Sequence, residues 1–322
     1  VANGTAADGE KDSVFLGGSS LGEAITLTGT AGAFTVFGAG AQQVVIDVLE
    51  AMDVVHIVAG GGDDLVDAAG LLSLAPIVVS GQEGNDVIVG SGGGGDILFG
   101  NEGSDVIRSG AGDDERVLGA GNDSASWAAG DGNDFVRGNE GFDFLSFIAG
   151  AGDDVSVFAD GSQARIARVG ETLRLFEMER IDIFASGGND VFRLGDMTGS
   201  GVRQMRLFLG DDGPTDEIRL LGSIGNDRLI LAASGTNLSG TIVGAQLRVE
   251  GVNDQDHLYV EAGAGNDVID ISAVGGETAQ TLIYGESGDD RLVAGPNRDF
   301  LSGGDGEDTV DYTGSFAAVT II

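Results

Sequence analysis

Read for apolar and polar positions, the chain is a succession of very short apolar runs separated by stretches rich in glycine and aspartate. Typical runs are three residues long with an apolar middle: Val87-Ile88-Val89, Ile97-Leu98-Phe99, Val106-Ile107-Arg108 and Phe135-Val136-Arg137. Alternation such as Arg174-Leu175-Phe176 and Arg206-Leu207-Phe208-Leu209 has the two-residue period of a strand. The one place for an amphipathic helix is Glu171 to Arg180. A three-residue strand cannot bury a core alone, so the triplets must stack on copies of themselves with the central side chain inward. The pattern predicts an all-β solenoid.

The polar stretches repeat as regularly as the apolar ones. An aspartate recurs at Asp86, Asp96, Asp105, Asp114, Asp123, Asp134, Asp143 and Asp154, nine to eleven residues apart. Each ends a glycine-rich hexamer: Gly81 to Asp86 is GQEGND, Gly100 to Asp105 is GNEGSD, Ser109 to Asp114 is SGAGDD and Gly138 to Asp143 is GNEGFD. A longer period of about 203 residues brings VVHIVAGGGDDLVD (Val54 to Asp67) back as HLYVEAGAGNDVID (His257 to Asp270). Likewise GQEGNDVIVG from Gly81 returns as GESGDDRLVA from Gly285, and the second copy runs on through Asp290, Asp299 and Asp308. This internal duplication divides the chain into a lead-in repeat (1–80), a first repeat run (81–157), a β connector (158–215), a second lead-in (216–284) and a second, truncated run (285–322), and most arginines gather between Phe158 and Leu220. With no initiator methionine at Val1 and an apolar run at Val319, Ile321 and Ile322, the chain reads as a fragment.

Composition adds a problem of charge. The 322 residues include 58 glycines, 52 acidic and 16 basic residues, a net charge of -36, beside 42% hydrophobic residues. That much like charge ordinarily leaves a chain disordered, yet the apolar fraction is that of a globular protein, so something must neutralise the acid. Nucleic acid is excluded as a partner, because phosphate binding needs clustered Lys and Arg and the single lysine is Lys11. There is no transmembrane segment, since no apolar run reaches eighteen residues, and the absence of cysteine rules out disulfides and thiolate metal sites.

If each nonapeptide is a turn plus a short strand, two complete one coil and alternate turns share an edge. Asp86, Asp105, Asp123 and Asp143 then line one edge, and Asp96, Asp114, Asp134 and Asp154 the other. Turns on an edge lie about 4.8 Å apart, and unit charges about 4 Å apart repel by roughly 4 kcal/mol at an effective dielectric of 20. A cation between them becomes part of the fold. Carboxylate and backbone oxygens suit a hard cation of high coordination number, and calcium fits better than magnesium, which demands a tighter octahedron. Glycine at alternate turn positions permits positive φ and lets carbonyls point inward.

These turns resemble the RTX, or haemolysin-type calcium-binding, repeat family, whose nonapeptide has glycines at positions one, two and four and aspartate at six. The match runs from Gly81 to about Asp154 and from Gly285 to Asp311, with looser copies ending near Asp64, Asp190, Asp227 and Asp267. The resemblance implies a parallel β-roll, several calcium ions held in the turns, and type I secretion. It also implies that metal is held by the aspartates of the two runs, Asp290, Asp299 and Asp308 included, and by carbonyls at Gly84, Gly103, Gly112, Gly121, Gly132, Gly141, Gly152 and Gly306. Departures fall at Asp96, after a ten-residue step, at Asp299, beside Asn297 and Arg298, and at Asp134 and Asp154, whose eleven-residue steps suggest bulged or wider coils.

Other motifs add little. The glycine string from Gly90 lacks the βαβ frame of a dinucleotide site. His56 and His257 begin no zinc motif, and Trp127 ends a triplet as a packing residue. With no catalytic constellation in view, the expected function is a non-catalytic, calcium-folded structural module of an extracellular adhesin, biofilm or surface-layer protein, with end-to-end self-association. The alternative is an accessory module of a polysaccharide-modifying enzyme, with polysaccharide as partner.

Overall fold

The computed structural model describes residues 13–30, 33–38, 43–47, 53–72, 75–210, 215–275, 279–315 and 320–321. Lys11, Val319 and Ile322 lie outside the described residues. Among the described residues every regular element is a strand: β1 (Ser13–Ser19), β2 (Ala24–Thr30), β3 (Ala33–Phe37), β4 (Gln43–Asp47), β5 (Val54–Gly61), β6 (Leu65–Leu72), β7 (Ile77–Glu83), β8 (Val87–Val89), β9 (Ile97–Glu102) and β10 (Val106–Arg108). Then come β11 (Glu115–Gly121), β12 (Ser124–Ala128), β13 (Asp134–Gly141), β14 (Phe144–Ile148), β15 (Asp154–Asp160), β16 (Gln163–Arg168), β17 (Glu171–Phe176), β18 (Arg180–Phe184), β19 (Val191–Leu194) and β20 (Gln204–Phe208). The remainder are β21 (Glu217–Leu221), β22 (Arg228–Ser234), β23 (Asn237–Ile242), β24 (Ala245–Glu250), β25 (His257–Glu261), β26 (Val268–Ala273), β27 (Gln280–Ser287), β28 (Arg291–Val293), β29 (Asp299–Asp305), β30 (Thr309–Asp311) and β31 (Thr320–Ile321).

The described residues form two compact units, one of residues up to 146 with 170–178, the other of 147–169 with 179 onward. In the first, successive strands alternate between two sheets, ordered β1-β5-β7-β9-β11-β13-β17 and β12-β10-β8-β6-β2-β3-β4. Neighbours along the repeat run pair in parallel, as a solenoid requires. The second unit has the orders β16-β15-β19-β21-β25-β27-β29-β31 and β30-β28-β26-β22-β23-β24-β20-β18. Antiparallel meanders β2-β3-β4 and β22-β23-β24 interrupt the parallel pattern at corresponding places. The bulge where β2 meets β6 returns where β22 meets β26, so the duplication read from the sequence is carried in the strand register.

The triplets behave as their pattern requires. In β8, β10 and β28 the middle residues Ile88, Ile107 and Leu292 are fully buried, whereas Val87, Val106 and Arg291 face outward. Register stacks the inward residues in columns, such as Val66, Ile88, Ile107 and Ala125 in one sheet of the first unit. At roughly 1.5–3 kcal/mol per fully buried aliphatic side chain, these columns are the main favourable term in the fold. Trp127 is fully buried and serves packing, as expected. His56 stacks on Phe15 with centroids 4.6 Å apart.

One expectation is corrected. Glu171 to Arg180 is not a helix but β17 followed by the first residue of β18, because Leu173 and Leu175 alternate inward while Arg174 faces out. The period of two prevails over the helical reading of that segment.

Candidate metal centre in the aspartate turns

Each repeat aspartate enters a strand, and its carboxyl is stitched to the turn beside it. In the first unit the N–H of Asp86 donates to Oδ1 of Asp105 (2.7 Å), that of Asp105 to Asp123 (2.7 Å) and that of Asp123 to Asp143 (2.8 Å). The ladder extends upstream through Asp64, whose N–H donates to Asp86, and Glu23, whose N–H donates to Asp64. The second edge follows the same rule: Asp96 donates to Asp114 (2.7 Å) and Asp114 to Asp134 (2.9 Å). Apart from Asp154, both edges therefore group the aspartates as the two-turns-per-coil pattern implies.

The second unit carries two further ladders. Asp153 donates to Asp190, Asp190 to Asp216 and Asp216 to Asp256. Asp227 donates to Asp267, Asp267 to Asp290 and Asp290 to Asp308. The looser copies at Asp64, Asp190, Asp227 and Asp267 thus stand in the ladders. Asp299 is buried and accepts from the N–H of Gly295 (2.9 Å). Asp154 is placed differently from expectation. The step from Asp143 to the ladder position is ten residues and not the eleven read from the sequence: Asp153 takes the ladder position while Asp154 turns out and pairs with Arg193. Asp216 and Asp256 escape the sequence reading because no glycine hexamer precedes them; their only signature is an aspartate immediately before an apolar strand.

The two oxygens of a ladder carboxylate differ. Oδ1 accepts the ladder hydrogen bond, whereas Oδ2 of Asp64, Asp86, Asp105, Asp114, Asp123, Asp267 and Asp290 is buried with no hydrogen-bond partner. A buried carboxylate oxygen left unsatisfied costs about 1–3 kcal/mol or more. These oxygens reach toward the first glycine of their own hexamer, at Gly81, Gly100 and Gly285, where a side chain would collide with them.

Fourth-position glycines form a second column of oxygens. Gly84, Gly103, Gly121 and Gly141 have φ between 132° and 147°, a region closed to other residues, and Gly112 and Gly306 share it at 146° and 140°. In this column a Cβ on Gly103 would overlap the Gly84 carbonyl oxygen, one on Gly121 that of Gly103, and one on Gly141 that of Gly121. On the second edge Gly132 stands over Gly112 in the same way. Gly152, at φ 68°, has no such carbonyl against it.

Burial dominates the electrostatics. It pushes the carboxyl of Asp105 up to about 7, with the like charges of Asp123 and Asp86 adding to the rise. Asp96 and Asp299 are raised to about 6, again chiefly by burial, and Asp86, Asp114, Asp123, Asp267 and Asp290 move the same way. Burial without a counter-charge is what raises these carboxyls together.

Calcium fits this donor set. The available atoms are carboxylate and carbonyl oxygens, several of the former have no partner, and the glycines bring carbonyls close along each edge. Among the described residues no three acidic or histidine side chains converge on one point, so carboxylates of neighbouring turns together with backbone oxygens would have to supply the shell. The RTX calcium-binding nonapeptide repeat family matches the chain in four copies, over residues 78–93, 91–125, 128–162 and 283–314. No curated protein matches the chain. RTX repeats are calcium-binding modules of bacterial proteins exported by type I secretion. The chain carries RTX calcium-binding nonapeptide repeats on an all-β, parallel solenoid-like framework, and its repeat turns bind several calcium ions.

Proposed function

We propose that the chain is a non-catalytic structural module of a secreted cell-surface or matrix protein, in which calcium binding and folding are one event. The observation that carries this reading is the set of buried, partnerless Oδ2 atoms, which makes the metal-free turns unfavourable and the metal-loaded ones complete. In a calcium-poor cytosol the carboxylates repel, and the chain stays extended enough to export. Outside, calcium near 10⁻⁴ to 10⁻³ M fills modules of this kind.

Solenoid ends suit assembly, since β1 and β31 each pair on one side only among the described residues. Light scattering at high protein concentration is expected to show reversible growth with calcium that EDTA undoes. A calcium-loaded species that stays strictly monomeric would contradict assembly. A second reading, an accessory module for polysaccharide, draws on the outer face of β18, β20 and β24. There Phe184 and Phe208 stack at 4.6 Å beside Arg206 and Arg248, which pair with Asp182 and Glu250 on the same face. Calcium-dependent retention of uronate polymers on a sugar array would favour it.

A further inference from the structure

Arg116 occupies a position that the repeat reserves for an aliphatic residue. The inward column of its sheet runs Ile57, Val79, Leu98, Arg116, Val136 and Leu175, and Arg116 is fully buried within it. A guanidinium in such a place costs several kcal/mol unless it is paired and hydrogen-bonded. Its Nη2 lies 2.9 Å from Oδ2 of Asp134, both side chains are wholly inaccessible, and its Nη1 donates to the Ser126 carbonyl. The same Oδ2 receives the Ser109 hydroxyl at 3.3 Å. At Asp86, Asp105 and Asp123 the corresponding oxygen has no hydrogen-bond partner.

The turn is built for this exception. In the turn ending at Asp96, the N–H of Ser91 donates to Oδ2 of the ladder aspartate itself (2.6 Å). In the longer turn ending at Asp134, the N–H of Ala128 donates instead to Oδ2 of Asp131 (2.7 Å), which leaves the Asp134 oxygen to face the arginine. The eleven-residue step supplies the extra aspartate. Burial opposes the charge on both partners, but a guanidinium does not give up its proton in proteins, and the negative charges of Asp134, Asp114 and Asp131 all act to keep it.

We propose that Arg116 is a resident cation that takes the place of a calcium ion at Asp134, so that this turn of the second edge is closed without metal. The proposal rests on the calcium reading of the other turns. A guanidinium and a divalent cation cannot share one carboxylate oxygen at contact distance without strong repulsion. Asp134 is therefore removed from the calcium ligands, and the ion count of the first run is one lower than its aspartates suggest.

The test counts calcium per chain, by calorimetry and by metal analysis after dialysis, in the unaltered protein, in Arg116→Leu and in Arg116→Leu combined with Asp134→Asn. Leucine matches Leu98 in the column. The single variant is expected to bind one ion more than the parent and to need several-fold more calcium to fold. The double variant, which also survives if the lone Asp134 carboxylate blocks folding of the single one, is expected to bind the parent's number. A single variant that folds with an unchanged count, or a double variant that loses an ion, would overturn the proposal. A parent that binds no calcium would overturn the calcium reading instead, and the two failures are distinct.

Discussion

Gly121→Ala is expected to raise the calcium needed for folding many-fold and to lower the thermal midpoint at fixed calcium by several degrees. Gly121 has φ 147°, where a Cβ is strained by about 1–3 kcal/mol in any surroundings. Here the Cβ would also overlap the backbone carbonyl of Gly103. Backbone of a neighbouring coil cannot move aside without breaking the strand register that pairs β11 with β9 and β13. The sum is about 3 kcal/mol or more, and 1.4 kcal/mol is tenfold in an equilibrium constant. Gly130→Ala is the control: its φ of 101° is unfavourable too, but nothing lies within 4 Å of its Cβ. It is expected to cost only about 1 kcal/mol, from conformation alone. Equal effects at the two glycines, read from calcium midpoints by circular dichroism, would mean that close stacking of carbonyls does not hold the coils together.

Asp105→Asn is expected to change stability with opposite sign in the two metal states. An asparagine oxygen can still accept from the Asp86 N–H, so the ladder bond survives. Without calcium, the substitution removes a buried charge that burial and the neighbours Asp123 and Asp86 already drive toward protonation at about 7, and the variant gains stability. With calcium, it removes a charged ligand, and affinity falls. Protonation acts like the asparagine. A carboxyl whose folded value lies above its ordinary 3.8 binds its proton more tightly in the fold than in the open chain. Its stabilising contribution is fully present below pH 3.8 and is lost as pH rises through about 6 to 7, the values for Asp96, Asp299 and Asp105. In EDTA the β signal is therefore expected to be greatest near pH 4 and to fall away toward pH 7 as the carboxyls ionise, with a shallower fall for Asp105→Asn. A metal-free protein that gains stability over that interval would show that the ladder carboxylates are not the titrating groups.

Much of this was legible in the sequence for a physical reason: a three-residue strand and a turn leave few alternatives, so aspartates at nine-residue spacing are bound to stack. The grouping of Asp86, Asp105, Asp123 and Asp143 follows from counting alone. Where spacing breaks, counting fails. Gly150 to Asp154 offers adjacent aspartates, and the repeat pattern selects Asp154, but the shorter turn puts Asp153 in the ladder. Arg116 was hidden because a charged residue at the middle of a triplet carries no sign of burial by itself, and its burial depends on Asp134, eighteen residues away in sequence. The eleven-residue step before Asp134 was visible, but its consequence, a second aspartate that releases Asp134 toward the arginine, needs three-dimensional placement.

The central claim is that calcium binding is folding, and a calcium titration followed by circular dichroism tests it most directly, with magnesium as control and EDTA for reversal. The account predicts a cooperative gain of β signal between about 10⁻⁵ and 10⁻³ M calcium, undone by chelation and absent with magnesium. A chelated protein that is already fully β and indifferent to calcium would contradict it, and the aspartate ladders would then be hydrogen-bonded corners of an ordinary solenoid.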